Sequence, residues 1–236
     1  MKWACGTQCF EVEFAQGAMS INAFLPIVSM LGFDGVEFLA EHLPSLRSNY
    51  ANILRQRLEE NELSLSVISY RTNEPKNLTS AVEPLLSFAR EMRARVVCIG
   101  GADEWKPFAN EIKQLSQLSE QISLPLGLAL PQKVGASKEL CDLLDDIASP
   151  YLGVCMLLKA ETNPNDEFWQ DLVMVSPFTL HVQLVVTDLA RSLTWLPALE
   201  LLREVEYDGF ISIIHVPNPV EDSLKLISSQ LALMAR

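Results

Sequence analysis

The residues that could do chemistry fall where short apolar runs end. Glu37 closes Gly35-Val-Glu37. A carboxylate there can act as a general acid or base or accept a substrate hydroxyl; it can equally be a structural carboxylate bonded to backbone or to an arginine. His181 and Gln183 alternate within Phe178–Val186 and so share one face of an extended strand. The Gln183 amide can donate to and accept from a sugar hydroxyl. His181, one layer deeper, is a proton carrier or a buried neutral imidazole with satisfied partners. Lys159 lies two residues past Leu157, on the same face. Its ammonium can offset negative charge or form a Schiff base with a carbonyl, or it can simply reach water. Arg71, after Tyr70, offers a fork of donors to a carboxylate or phosphate, or a surface ion pair. Gly100-Gly101 can bring backbone amides to a ligand or make a tight turn. Trp105 can stack on a sugar face or pack at a helix start. His215 follows Ile214, and His42 follows Glu41.

Other chemistries lack their residues. There is no GxSxG elbow, no Ser-His-Asp order, and no GxGxxG after the first strand candidate. The five cysteines are scattered; Cys5 and Cys9 have no second Cys/His pair at zinc-site spacing. With no signal-like run in Met1–Phe10, they are expected as reduced thiols in a cytoplasmic protein. No stretch of about 18 uncharged apolar residues is present, so no membrane span is expected. A net charge of −12 and a pI near 4.7 argue against nucleic acid and anionic membranes, though a locally positive pocket could still take a small anion.

These residues need elements to position them. Strand candidates are Trp3–Phe10, Gly35–Leu39, Ser64–Tyr70, Arg95–Gly100, Pro125–Leu130, Tyr151–Leu158, Phe178–Val186 and Phe210–Val216. Arg95-Val-Val-Cys-Ile99 and Phe210-Ile-Ser-Ile-Ile214 are apolar on both faces, as parallel strands covered by helices are. Between strands, apolar residues recur at three and four: Val82, Leu85, Leu86, Ala89, Met92; Leu140, Leu143, Leu144, Ile147; and Leu224, Ile227, Leu231, Met234. Ser80 with Glu83 fits a capping box, and Ser137 fits an N-cap. Arg71–Leu78 reads as a loop, and the acidic clusters Glu59, Glu60, Glu62 and Asp142, Asp145, Asp146 as solvated helix faces. Strand–helix alternation over 236 residues without a linker predicts an α/β fold, a single (β/α)8 or TIM barrel spanning 1–236, with a parallel eight-stranded barrel inside outer helices. In such barrels the site lies at the C-terminal ends of the strands.

Three segments carry a family resemblance: LGFDGVEF (Leu31–Phe38), YLGVCML (Tyr151–Leu157) and YDGFISII (Tyr207–Ile214). From about Leu31 to Ser228 the chain resembles the xylose isomerase-like sugar and sugar-phosphate isomerases and epimerases. The resemblance implies the same barrel and, in the family, one divalent cation held by Glu, Asp, His and Glu ending strands five to eight. The matching positions here are Pro131 (or Ala129), Leu157, Gln183 and Ile214. The family's next Lys and Asp match Val185 and Val186, with Asp188 two residues on. A divalent cation needs converging carboxylates and imidazole, so no metal and no other cofactor is expected. A one-residue register shift would recover only His215, which with His42 and Glu41 is the alternative metal set. The related endonuclease IV branch needs more ligands than three histidines allow. Leu189–Thr194, between Asp188 and Trp195, leaves little material for a lid.

Two functions follow as expectations. The first is a sugar isomerase or epimerase working without the usual metal. Glu37 is then the base, Lys159 or Gln183 stabilises the enediolate oxygen, His181 supports them, and Arg71, Trp105 and His215 contact substrate. The second is a catalytically retired relative that binds a small polar ligand or a protein partner. A homodimer through outer helices is the default assembly.

Overall fold

The structure, a computed structural model, describes all residues except 73–76, 132, 134, 160–165, 188–195 and 235–236, and the side chains of all but these and 166–168 and 230–234. Eight parallel strands close into a barrel in sequence order: β1 Lys2–Gly6, β2 Gly35–Leu39, β3 Ser64–Arg71, β4 Val96–Gly100, β5 Leu126–Ala129, β6 Leu152–Lys159, β7 Thr179–Val185 and β8 Phe210–His215. Closure comes from β1 pairing β8, with Ala4 opposite Ser212 and Cys5 opposite Ile213. The helices run α1 Glu11–Ala15, α2 Ile21–Met30, α3 Ser48–Glu60, α4 Leu78–Glu91, α5 Ala109–Ile122, α6 Ala136–Ile147, α7 Asp166–Val175, α8 Leu196–Glu204 and α9 Val220–Met234. No described helix is long and apolar enough to cross a membrane.

Alternation sorts the strand side chains into two cores. Val36, Phe38, Ile68, Val97, Ile99, Leu126, Leu128, Met156, Leu158, Val182, Leu184, Ile211 and Ile213 pack outward with the helices. The α4 stripe Val82, Leu85, Leu86, Ala89 and Met92 is buried there, as are Leu140, Leu143 and Leu144 of α6 and Leu224 and Ile227 of α9; the Leu231 and Met234 side chains lie outside the described residues. Val67, Val96, Cys98 and Cys155 form a separate small cluster, on the strand face opposite Ile68, Val97 and Met156. That face is the lumen, and it turns polar above this cluster.

The sequence expectations need three local corrections. The first strand stops at Gly6, and Thr7–Phe10 turns into a 3-10 helix. There the Thr7 hydroxyl accepts the Leu39 amide at 2.9 Å, and Gln8 turns inward. Side chain–backbone bonding of this kind competes with the strand ladder. Helix α4 starts at Leu78 after a left-handed Asn77, so Ser80 lies within the first turn and donates to the Asn77 carbonyl instead of capping. Likewise α6 starts at Ala136 after Gly135, leaving Ser137 buried inside the helix. Of the expected Arg71–Leu78 loop, Arg71 belongs to β3 and Leu78 to α4, and 73–76 lie outside the described residues. The Leu189–Thr194 connection also lies outside them.

Glycine is required where β2 enters the barrel. A Cβ on Gly35 would stand 2.6 Å from the Ser64 carbonyl oxygen and 2.8 Å from the Phe210 ring. Backbone on one side and a buried aromatic on the other leave nothing to yield. Gly35→Ala is therefore expected to cost about 1–3 kcal/mol by overpacking. Urea unfolding tests this: an unchanged midpoint would mean that β2 and β3 can separate freely.

Candidate active site: a buried carboxylate across the barrel

Glu37 lies in the lumen at the centre of a polar cluster. It is fully buried, at 0% exposure. Its Oε1 accepts from Gln8 Nε2 at 2.8 Å, Ser69 Oγ at 2.5 Å and Gln183 Nε2 at 2.5 Å. Its Oε2 faces His181 Nε2 at 3.2 Å. Gln183 Nε2 also reaches Ser69 Oγ at 3.0 Å. β2 and β7 are separated by β1 and β8, so the bonds to His181 and Gln183 cross the barrel rather than follow a ladder. One layer away, Ser66 Oγ donates to the Val36 carbonyl at 2.7 Å and meets Ser212 Oγ at 3.3 Å.

The donors keep Glu37 ionised. Burial alone raises a carboxyl pKa. Here the His181 hydrogen bond and charge, then Ser69 and Gln8, outweigh burial and hold Glu37 below the ordinary carboxylate range. An ionised carboxylate accepts only, so both glutamine amides must turn nitrogen toward it and His181 must carry its proton on Nε2. The cysteines near the cluster are poor nucleophiles. Burial first, then a neighbouring thiol and the Glu37 charge, push Cys9 and Cys155 well above the ordinary thiol range.

Glu37, His181 and Gln183 are thus brought together, while the other expected residues are not. Lys159 ends β6, exposed, opposite Val185. Arg71 ends β3 with its guanidinium 3.6 Å from Glu11, both half exposed. Trp105 is covered, at 3% exposure, and donates from its indole to the Ala129 carbonyl at 2.8 Å. At that exposure it offers no free face to a sugar. His215 ends β8, exposed, opposite Val185 across a register shift. Gln8 and Ser69 went unread. Ser69 could have been found from its shared face with Arg71, whereas nothing in the sequence points to Gln8.

The metal positions of the resemblance sit at the same end of the barrel. Leu157 pairs Gln183 in register, Ala129 ends β5 beside Cys155, and Ile214 is nearly buried beside Gly6. Two apolar side chains, an amide and Ala129 or Pro131 do not fit a divalent cation. Among the described residues no three His, Cys, Asp or Glu side chains converge on a point, the set His42, Glu41 and His215 included.

Glu37 also sets an acid limit on stability. Its folded pKa lies below its unfolded one, so its contribution is complete above the unfolded value of roughly 4.3 and is lost as pH falls through the folded value. Glu37→Gln is expected to cost about 3–5 kcal/mol at pH 7, as removing one partner of a buried pair does. It should also flatten the loss of stability below about pH 4.3. Denaturant midpoints against pH check both; parallel curves for the two proteins would contradict this account of Glu37.

No family model matches this sequence, and no curated protein matches it. Solved structures do match in shape. D-psicose 3-epimerase of Clostridium cellulolyticum, solved with D-tagatose, is 14% identical with a TM-score of 0.75, covering 100% of this chain and 98% of its own. A xylose isomerase domain protein of Planctomyces limnophilus is 13% identical with a TM-score of 0.73, covering 100% and 97%. The probable 3-DHS dehydratase of Bacillus anthracis is 16% identical with a TM-score of 0.72, covering 98% and 99%. At these identities the likeness is one of fold: the chain is a (β/α)8 barrel similar in shape to these three proteins.

Proposed function

We propose that the protein is a sugar isomerase or epimerase-type barrel that handles a small carbohydrate at the C-terminal end of its strands without a bound divalent cation. The observation that carries this reading is the Glu37 cluster. An ionised carboxylate stands beneath the mouth, and hydrogen-bond donors neutralise it instead of a metal. Carbohydrate-acting neighbours of the same fold support the substrate class.

The chain's own residues supply a proton-transfer route. A sugar entering past Leu157 and Ile214 meets the Gln183 amide. If the amide turns to the substrate carbonyl oxygen, Glu37 Oε1 loses one donor and becomes more basic. Oε1 then takes the proton from the carbon next to the carbonyl. The C–H electron pair moves onto the carbonyl oxygen as an enediolate, which the Gln183 amide stabilises. Return of the proton to the former carbonyl carbon isomerises the sugar, with the proton of the adjacent hydroxyl passing to the enediolate oxygen as that hydroxyl becomes the new carbonyl; return to the opposite face of the original carbon epimerises it. His181 holds Glu37 in place through Oε2.

A second reading is favoured by one observation: Glu37 is sealed from solvent and its Oε1 already accepts three hydrogen bonds. A barrel that binds a carbohydrate without turning it over would keep the cluster in that state. Exchange of carbon-bound hydrogen of aldoses and ketoses in D2O with EDTA, followed by NMR, separates the two. Exchange that falls about a hundredfold or more in Gln183→Ala is the expected result; saccharide binding without exchange would establish the second reading. Elemental analysis and calorimetry with Mn²⁺ and Co²⁺ should find no tightly held ion. About one ion per chain would overturn the metal-free reading.

A further inference from the structure

Glu37 is closed to solvent at 0% exposure, yet any proton it takes or gives has to be traded with water. Its partners differ in whether they can carry one. Gln8 and Gln183 meet it with amide nitrogens, which do not titrate. Ser69 gives its only proton to Oε1. His181 has a second ring nitrogen, so it can take a proton on one side while giving one up on the other.

His181 also stands between two environments. Its Nε2 is 3.2 Å from Glu37 Oε2. The residue lines a cavity of about 440 Å³ at the opposite, N-terminal end of the strands, beside Ser66, Thr179 and Tyr207. The nitrogens lie on different edges of the imidazole, so with Nε2 on Glu37 it is Nδ1 that is left for the cavity. Among the described residues no group bonds Nδ1, and unlike Gln8 Oε1 and His42 Nδ1 it is not an atom buried without a partner. It therefore touches solvent space, and the 1% of the His181 side chain that is exposed lies there.

The cavity suits water. A water takes up roughly 30 Å³, so there is room for several. The hydroxyl protons in its wall go to backbone: Ser66 to Val36, Ser176 to Val173, Thr179 to Val175 and Tyr207 to Phe210. The other titratable groups about His181 are the Cys155 thiol, in register with it on β6, and the Tyr207 phenol; burial holds both protonated. Arg95, Glu206 and Asp208 are exposed at the rim. We propose that His181 is a proton passage, through which Glu37 exchanges its proton with water in the N-terminal cavity while the mouth is left to the sugar. A proton from water adds to the Nδ1 lone pair as the Nε2 proton passes to a lone pair of Oε2. The ring ends neutral with its N–H on Nδ1, Glu37 ends uncharged and hydroxide remains; the reverse transfers restore the carboxylate. A proton that Oε1 takes from a sugar leaves by the same route after a half-turn of the carboxyl. The use of the passage in turnover rests on the proton-transfer reading of Glu37, whereas the passage itself does not.

One test uses turnover and one does not. In D2O the parent should form product that carries solvent deuterium. His181→Gln keeps an amide N–H for Oε2 but cannot relay, so the share of product that retains the substrate's own hydrogen should rise about tenfold or more. That share compares two fates of one proton, which a mere shift in the position of Glu37 would not change. Without substrate, exchange of the His181 imidazole proton with water is read from ¹⁵N-histidine spectra, which hold only three imidazoles. Val205 is exposed at the cavity rim. Val205→Trp covers the opening and should slow this exchange about tenfold or more. Leu157→Ala, which widens the mouth, should not speed it. Should His181→Gln fail to fold, Val205→Trp serves in both tests and should raise hydrogen retention too. A parent that never exchanges carbon-bound hydrogen would sink the proton-transfer reading, and the imidazole exchange would still decide the passage. The passage is overturned if Val205→Trp exchanges at the parent rate, if Leu157→Ala speeds the exchange, or if the variants retain no more hydrogen than a parent that turns over.

Discussion

Everything in the lumen is arranged around the burial of one negative charge. Moving an ionised carboxylate out of water costs several kcal/mol even after the protein relaxes, and Glu37 is fully buried. Each neighbour is there to supply a donor. Gln8 reaches it because β1 stops at Gly6 and the chain turns inward. Ser69 reaches it because β3 shifts register against β2 between Val36 and Glu37 and places Val67 opposite Glu37. Gln183 and His181 reach it only because the barrel closes and brings β7 across the axis from β2. Closure and charge burial therefore support each other.

The same constraint bears on the strand ends that the sequence resemblance aligns with metal-ligand positions. Converging carboxylates without a cation repel one another and raise each other's pKa. A single lost ligand would leave the others facing uncompensated charge. Here the strand ends carry Leu157, Ile214 and Ala129, which need no partner, and Gln183, whose amide donates to Glu37. One carboxylate, Glu37, stands among hydrogen-bond donors. A donor cluster is selective in a different way from a cation: it holds Glu37 in a fixed orientation but offers no open coordination position to a substrate oxygen.

The sequence by itself determined the barrel and the positions of its strands. Alternating apolar runs and three-four stripes depend on local periodicity, and seven of the strand candidates end within a residue or so of the observed bounds. The exception, Trp3–Phe10, ran past Gly6 because nothing local announces that Thr7 and Gln8 have distant partners, Leu39 and Glu37. Only the tertiary structure decided which polar groups meet. It joined Glu37 to residues 29 to 146 positions away, covered Trp105 and left His42 Nδ1 unpaired. Those outcomes depend on strand register and on the barrel's closure. Both are set by the packing of the whole chain, and no short stretch of sequence encodes them.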